Sequence, residues 1–200
     1  MHPFSSNARR ATVTAALCEL PVEKIVVALD KGEHLRPEFL AMNPNHKVPT
    51  LVDGELTLWE SNAIAIYLAG RAGRTDLWPV EPGAQADVAR WLMWTHSTWT
   101  PAIGTVVFER MVKAWRNLPP DEAKVAEAVA SFGEHAKLLD AHLAQREWVA
   151  QDRLTLADIS LAATFMHGPK VGLSLDGFAN VAAWYQRVQA LPAWQATEAG

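Results

Sequence analysis

The sequence predicts an α/β N-terminal domain followed by an all-α C-terminal domain. The first ~70 of the 200 residues mix strand-length apolar runs with helical spacing, whereas the remainder has almost only the helical period. Glycines and prolines concentrate in residues 73–83, which is typical of a linker. We therefore expect domains over residues 1–72 and 84–200, joined by a linker over 73–83.

The N-terminal domain is expected to open with a helix and a strand. Ser5 or Ser6 can cap a helix that runs to about Leu20, where Pro21 ends it. Residues 25–29 form a short apolar run rich in β-branched side chains, which predicts a buried strand.

A hairpin and a second long helix complete this domain. The sequence predicts a short helix over residues 37–42, followed by a turn. Residues 48–52 and 56–59 are apolar runs on either side of Asp53-Gly54-Glu55, so we expect them to pair as antiparallel strands. From residue 60 to about 71, apolar side chains return at helical spacing.

The C-terminal domain is predicted to consist of helices. A long helix is expected over residues 84–115, with a kink or break at Pro101. A second helix should span about 121–145, and the last about 178–191. Between them, Thr155 to Asp158 have the form of a capping box ahead of an apolar run, which predicts a buried helix.

Composition excludes several classes of function. With 18 Lys and Arg against 22 Asp and Glu, the net charge of −4 gives no basic surface for nucleic acid. No apolar run approaches the ~20 residues that cross a bilayer, and the first residues lack the apolar stretch of a signal peptide, so we expect a cytoplasmic protein. The single cysteine, Cys18, excludes an internal disulfide framework, and the histidines lack paired ligand spacing, so no metal is expected.

The order of these elements is that of a thioredoxin-like domain joined to a helical domain. Four segments carry motifs at matching spacing: PFSSNARR at 3–10, GEH at 32–34, NPNHKVP at 43–49 and ESNAI at 60–64. They resemble the glutathione transferase family, most of all its serine-using phi-like class and bacterial relatives. Residues 154–158 are similar to the family's capping segment.

Ser5 is the predicted catalytic residue. At the N-terminus of a helix, free backbone N–H groups and the positive dipole end favour an anion such as a thiolate. In the family this serine donates a hydrogen bond to the thiolate of glutathione, and the resemblance places that role on Ser5. Taken alone, Ser5 and Ser6 are also explained as ordinary helix caps.

The resemblance also implies where the rest of glutathione lies. Val48-Pro49 resembles the family's Val–cis-Pro step, whose backbone pairs with the cysteinyl part. Ser61 would bind the γ-glutamyl carboxylate while Glu60 faces its ammonium group, and Lys47 and His34 would reach the glycine carboxylate. The alternatives are an architectural proline, a plain helix cap and two solvated loop residues.

The second substrate is expected between the domains, against the long helix. The apolar candidates for contact with an electrophile are Trp94, Trp99, Ile103 and Phe108. The alternative is that these side chains serve helix packing.

Three other residues receive non-catalytic predictions. Cys18 lies well inside the first helix and is expected to pack in the core. Arg9 and Arg10 are predicted to be helix-surface charges, with the alternative that one of them supports a dimer or the glutathione pocket.

The sequence departs from the family pattern at its start. Only four residues precede Ser5, too few for the strand of about half a dozen residues with which family members begin. Either the sequence starts at an internal methionine, which we favour, or the first strand is missing. In the second case the strands over 25–29 and 48–52 must close up or stay poorly paired.

The resemblance implies a homodimeric glutathione transferase that joins the glutathione thiolate to an apolar electrophile, a detoxification reaction. One alternative is peroxide or disulfide reduction by the same thiolate. Another is a non-catalytic protein that uses the same fold to bind apolar ligands or a protein partner.

Overall fold

The structure, a computed structural model, describes residues 1–198. The N-terminal part consists of α1 (Ser6–Leu17), α2 (Pro37–Met42), β1 (Thr50–Asp53), β2 (Leu56–Trp59) and α3 (Ser61–Arg71). α1 and α3 pack against each other, and Ala11, Ala15, Ile64 and Leu68 form a small apolar core between them. Leu51 and Leu58 of the hairpin cover this core.

The hairpin is antiparallel, as predicted. Thr50 lies opposite Trp59 and Asp53 opposite Leu56, which leaves a two-residue turn. The first turn residue, Gly54, has φ +58°, a conformation that side chains disfavour and that tight hairpin turns require.

The predicted strand over residues 25–29 does not form. Residues 25–27 belong to no strand, and within residues 1–198 their backbone hydrogen bonds are made with Met1: the Met1 amino group donates to the Ile25 carbonyl at 2.6 Å, and the Val27 N–H donates to the Met1 carbonyl at 2.8 Å. Leu29–Lys31 turns instead as a 3-10 helix. A strand requires a neighbouring strand along its whole length, whereas this segment is hydrogen-bonded to the single residue Met1.

The C-terminal part is helical throughout. It contains α4 (Pro82–Trp94), α5 (Thr100–Val107), α6 (Lys113–Trp115), α7 (Glu122–Leu143), α8 (Leu156–Phe165), α9 (Ala179–Gln189) and α10 (Pro192–Gln195). Two π-helical turns, Thr95–Trp99 and Phe108–Val112, join α4, α5 and α6 into one run. Pro101 does not end this run: it directly follows the first π-helical turn, and such turns accommodate irregularities in the hydrogen-bond ladder of a helix.

The core of the molecule surrounds α8, whose residues are all buried. The predicted capping box at its start is present: Thr155 and Asp158 bond reciprocally across the first turn. α8 packs on α1 and α3 as well as on α4, α5 and α9, so both parts of the chain meet on it.

The segment between α3 and α4 is fixed to the core. Leu77 is fully buried, and its carbonyl accepts a hydrogen bond from the N–H of Leu156 at 3.1 Å.

Among residues 1–198, none of the helices has the length and apolar character needed to cross a membrane.

Candidate functional site

Ser5 stands at the start of α1 as its N-cap. Its Oγ accepts a hydrogen bond from the Ala8 N–H at 3.2 Å, and its own N–H donates to the His2 carbonyl at 3.0 Å. The first turn of α1 contains no acidic residue that would neutralise the helix end. Because Oγ only accepts here, its proton remains available for a ligand.

The Val48–Pro49 peptide bond is cis, and both residues are buried just before β1 begins. Within residues 1–198, neither the N–H nor the C=O of Val48 has a hydrogen-bond partner. The preceding loop is held by Asn43, whose Nδ2 donates to the Lys47 carbonyl at 2.8 Å and to Thr50 Oγ1 at 3.2 Å. The N–H of Val48 can therefore donate a hydrogen bond to one more extended segment, and its C=O can accept one from it.

Glu60 and Ser61 form the start of α3. Glu60 has φ +70° and ψ +109°, a strained conformation for a residue with a side chain, and it is exposed. Ser61 is only 5% exposed. Strain of this kind concentrates at functional sites, and here the strained residue exposes an acidic side chain at the strand-to-helix junction.

Arg10 is buried, so the prediction that it is a surface charge was wrong. Its Nη1 donates to Ser61 Oγ at 2.6 Å and to Asn7 Oδ1 at 3.1 Å. Its Nη2 donates to Thr164 Oγ1 at 2.9 Å and to the Ser160 carbonyl at 3.3 Å. Burial lowers the pKa of Arg10 to about 10, while the nearby charge of Glu60 acts to raise it, so the guanidinium stays positive at neutral pH.

Arg9 is buried as well, and the same prediction fails for it. Its Nη2 donates to the Trp194 carbonyl at 3.0 Å, and the guanidinium lies 4.1 Å from the centre of the Trp194 ring. The physical reason is that α1 lies between α3, α8 and α10, so few of its residues reach solvent.

The hydrogen bonds bring the two helix starts of the site together. Asn7 Oδ1, in the first turn of α1, accepts from both Arg10 and Ser61, the latter at 3.5 Å. The turn that carries Ser5 is thus linked to the residue predicted to bind the γ-glutamyl carboxylate.

The structure places the residues predicted for the glycine end on the loops ahead of the hairpin. Lys47 is exposed. His34 lies in a 3-10 turn, Glu33–Leu35, and its Nδ1 is buried without a hydrogen-bond partner among the described residues. No contact joins Lys47 to His34, so their shared role stays a prediction.

The four residues predicted for the second substrate do not line one open surface. Trp99 and Ile103 are 0% and 1% exposed inside the helical core, and the Trp99 Nε1–H donates to the Leu161 carbonyl at 3.2 Å. Trp94 is half-buried and stacks on Trp99. Phe108 is 45% exposed. Of the four, only Phe108 offers a largely open surface, because helix packing takes the others.

Two exposed aromatic residues beside Ser5 were missed by the sequence analysis. Phe4 is 44% exposed, Trp115 at the end of α6 is 59% exposed, and their ring centres are 5.9 Å apart. Phe4 directly precedes Ser5, which could have suggested it, whereas Trp115 is more than a hundred residues away in sequence. Together they form an exposed apolar surface next to the turn that carries Ser5.

No cluster of three or more metal-ligating side chains occurs in the part of the chain that the structure describes.

Comparison with known proteins gives consistent matches along the chain. Residues 1–70 match the model of the glutathione S-transferase N-terminal domain, and residues 99–192 match that of the C-terminal domain. Glutathione S-transferase GstB of Escherichia coli strain K12 is 35% identical over 194 residues, which cover 94% of this chain and 91% of that protein.

Two solved structures are similar over nearly the whole chain. A theta class glutathione S-transferase from Xanthomonas axonopodis pv. citri, solved with glutathione bound, is 32% identical with a TM-score of 0.91, covering 100% of this chain and 95% of the other. Glutathione transferase F7 from Populus trichocarpa is 30% identical with a TM-score of 0.89, covering 98% and 94%.

Proposed function

This chain belongs to the glutathione S-transferase family, and from that premise we propose that it joins the thiolate of glutathione to an apolar electrophile. The proposal extends to a cytoplasmic homodimer that detoxifies such compounds. Ser5 stabilises the thiolate, and the remaining residues of the site orient the tripeptide.

The observation that carries this proposal is the position of Ser5 Oγ at the N-terminus of α1. A free thiol has a pKa of about 8.5, so only a few per cent is ionised at neutral pH. Each unit by which the site lowers that pKa requires ~1.36 kcal/mol of preference for the thiolate. The available Ser5 proton and the helix end both favour the negative form.

The backbone of Val48 supports an extended ligand, because its N–H and C=O are free of partners within residues 1–198. At the other end of the tripeptide, Ser61 accepts a hydrogen bond from the positive Arg10 and donates a long one, at 3.5 Å, to Asn7 Oδ1, so the γ-glutamyl carboxylate can replace Asn7 as the acceptor of its proton. Glu60 provides the negative charge for the ammonium group, and Lys47 and His34 remain the candidates for the glycine carboxylate.

The exposed apolar surface formed by Phe4 and Trp115 supports an apolar second substrate beside the thiolate. Phe108 remains a candidate on the same helical run. We withdraw Trp99 and Ile103 from this role because both are buried in the core.

The test is the Ser5→Ala variant with Ser6→Ala as the matched control. A hydrogen bond to a charged group contributes about 1.5–3 kcal/mol, so we expect kcat/KM with a model aryl halide to fall roughly 10- to 100-fold. The pKa of the bound thiol, measured by thiolate absorbance, should rise while the Kd of glutathione stays within about 3-fold.

Unchanged turnover and thiol pKa in Ser5→Ala would remove Ser5 from this role. Assays with hydroperoxides run beside the aryl halide: reduction without conjugation would replace the proposed reaction by the peroxidase alternative. Absence of both activities in a glutathione-binding protein would favour the non-catalytic alternative. Sedimentation analysis tests the dimer.

A further inference from the structure

His167 connects the C-terminal helices to the catalytic turn. It lies in the turn after α8, is 5% exposed, and its Nε2 is 2.8 Å from the carbonyl oxygen of Phe4, which is 163 residues away in sequence. Phe4 directly precedes Ser5. This hydrogen bond therefore joins the backbone next to the catalytic hydroxyl to the turn that follows the buried helix α8.

The surroundings of His167 determine its tautomer. A carbonyl oxygen only accepts, so Nε2 must carry the proton, and Nδ1 keeps a bare lone pair in the neutral ring. Nδ1 is buried without a hydrogen-bond partner among the described residues, so a second proton there would find no acceptor. The residue is suited to the neutral Nε2–H form.

The chain on either side of Ser5 is attached to α8 and to the turn that follows α8. Arg10, inside α1, donates to the Ser160 carbonyl and to Thr164 of α8, and His167, after α8, donates to Phe4 on the N-terminal side of Ser5. Ser5 lies between these attachments. Removal of the His167 bond would free the N-terminal side of the turn and leave a carbonyl without its partner.

We propose that His167 is a positioning residue for catalysis, which holds the Phe4–Ser5 backbone where the Ser5 hydroxyl meets the glutathione thiolate. This inference rests on the proposed function. A displacement of ~1 Å at a catalytic group can reduce the rate by about 100-fold, so a hydrogen bond that fixes the adjacent peptide affects catalysis more than binding.

The inference includes a pH dependence with a defined sign. Burial lowers the pKa of His167 from its ordinary value of 6.5, the positive charges of Lys170 and Arg9 act in the same direction, and only the bond to Phe4 opposes them. A histidine with a lowered pKa in the folded state stabilises the fold above pH 6.5, and this contribution is lost as the pH falls through the folded pKa. The folded protein should therefore lose stability in acid, because the second proton on Nδ1 is buried without an acceptor among the described residues.

The experiment compares His167→Leu, His167→Gln and His167→Asn with the exposed His96→Gln as control. The amide nitrogen of Gln reaches about as far as Nε2, whereas that of Asn is nearer to the position of Nδ1. We expect Leu and Asn to reduce kcat at least about 10-fold and to raise the pKa of the bound thiol, with the KM of glutathione within about 3-fold. Gln should restore both values to within about 3-fold of wild type.

Wild-type kcat and thiol pKa in the Leu and Asn variants would overturn the inference, as would a Gln variant no better than Asn. If circular dichroism shows that the Leu variant does not fold, the comparison of kcat and thiol pKa between the Gln and Asn variants decides. Ser5→Ala measured in parallel separates the two proposals: an impaired Ser5→Ala beside normal His167 variants rejects only the inference. A Ser5→Ala variant equal to wild type rejects the proposed role of Ser5, and the inference with it.

Discussion

Arg10 changes what the hydroxyl of Ser61 can do. An arginine side chain only donates hydrogen bonds, so the 2.6 Å contact occupies a lone pair of Ser61 Oγ and turns the hydroxyl proton toward an acceptor, which is Asn7 Oδ1 at 3.5 Å and can be a carboxylate when a ligand binds. The guanidinium also places a buried positive charge directly behind that hydroxyl. Both effects favour a carboxylate ligand at the start of α3.

We expect Arg10→Met to weaken glutathione binding at least about 10-fold, because the carboxylate loses the charge behind Ser61. The fold should lose about 2–4 kcal/mol of unfolding free energy, since Ser61, Thr164 and the Ser160 carbonyl lose their donor. Tryptophan fluorescence measures both quantities, by glutathione titration and by urea unfolding.

The specificity of this effect is measurable with a ligand analogue. 4-Aminobutyryl-cysteinyl-glycine lacks the γ-glutamyl carboxylate, so Arg10→Met should change its Kd much less than that of glutathione. The exposed Arg90→Met serves as control and should change neither. Equal losses for both ligands would show that Arg10 acts on the fold alone.

The sequence could locate those candidate site residues whose environment is local. Ser5 stands at a helix start, Val48 at the entry to a hairpin and Ser61 at a strand-to-helix junction, and each can be located from its neighbours in sequence. Arg10 and His167 could not be found in this way. Their contacts cross 51 to 163 residues and depend on how α1 packs against α8.

At the scale of elements, the start of α8 is held by one buried carboxylate. Asp158 accepts hydrogen bonds from the N–H groups of Val149 and Thr155 and from the indole of Trp184, each at 2.9 Å. It also accepts one from the Thr155 hydroxyl at 3.1 Å. The capping box therefore fixes the preceding loop and α9 along with the helix start.

We expect Asp158→Ala to destabilise the protein by at least about 3 kcal/mol, because it leaves several buried N–H groups without an acceptor. Asp121→Ala is the matched control: Asp121 also caps a helix, but through one exposed bond to the Lys124 N–H. Its loss should be clearly smaller in urea unfolding. Equal losses would mean that Asp158 acts only as a local cap.

The elements that the sequence predicted well are those stabilised by their own periodicity. The predicted helices and the hairpin lie within a few residues of their expected bounds, whereas the short α10 was not predicted. Residues 25–29 were predicted as a strand from an apolar run, yet Ile25 and Val26 are 66% and 55% exposed. A helix closes its hydrogen bonds within itself, whereas a strand depends on partners that the run does not specify.

Across the whole molecule, one apolar core joins the two parts of the chain. The cluster around α8 includes Val13 of α1, Ala65 and Ala69 of α3, and Leu77 from the segment before α4. Such a continuous core favours unfolding in a single cooperative transition. The domain boundaries predicted from the sequence remain predictions, because the apolar core contains residues from both sides of them.

We expect Leu77→Ala to destabilise both parts equally, since Leu77 is fully buried where they meet and a cavity there costs about 2–5 kcal/mol. Loss of glutathione binding reports on the N-terminal part, while fluorescence reports mainly on residues 84–198, which hold seven of the nine tryptophans. In urea, the two midpoints should coincide in wild type and fall together in Leu77→Ala. Val80→Ala, 74% exposed in the same segment, should leave them in place. Separate midpoints in wild type would contradict a shared core, because each part would then be stable without the other.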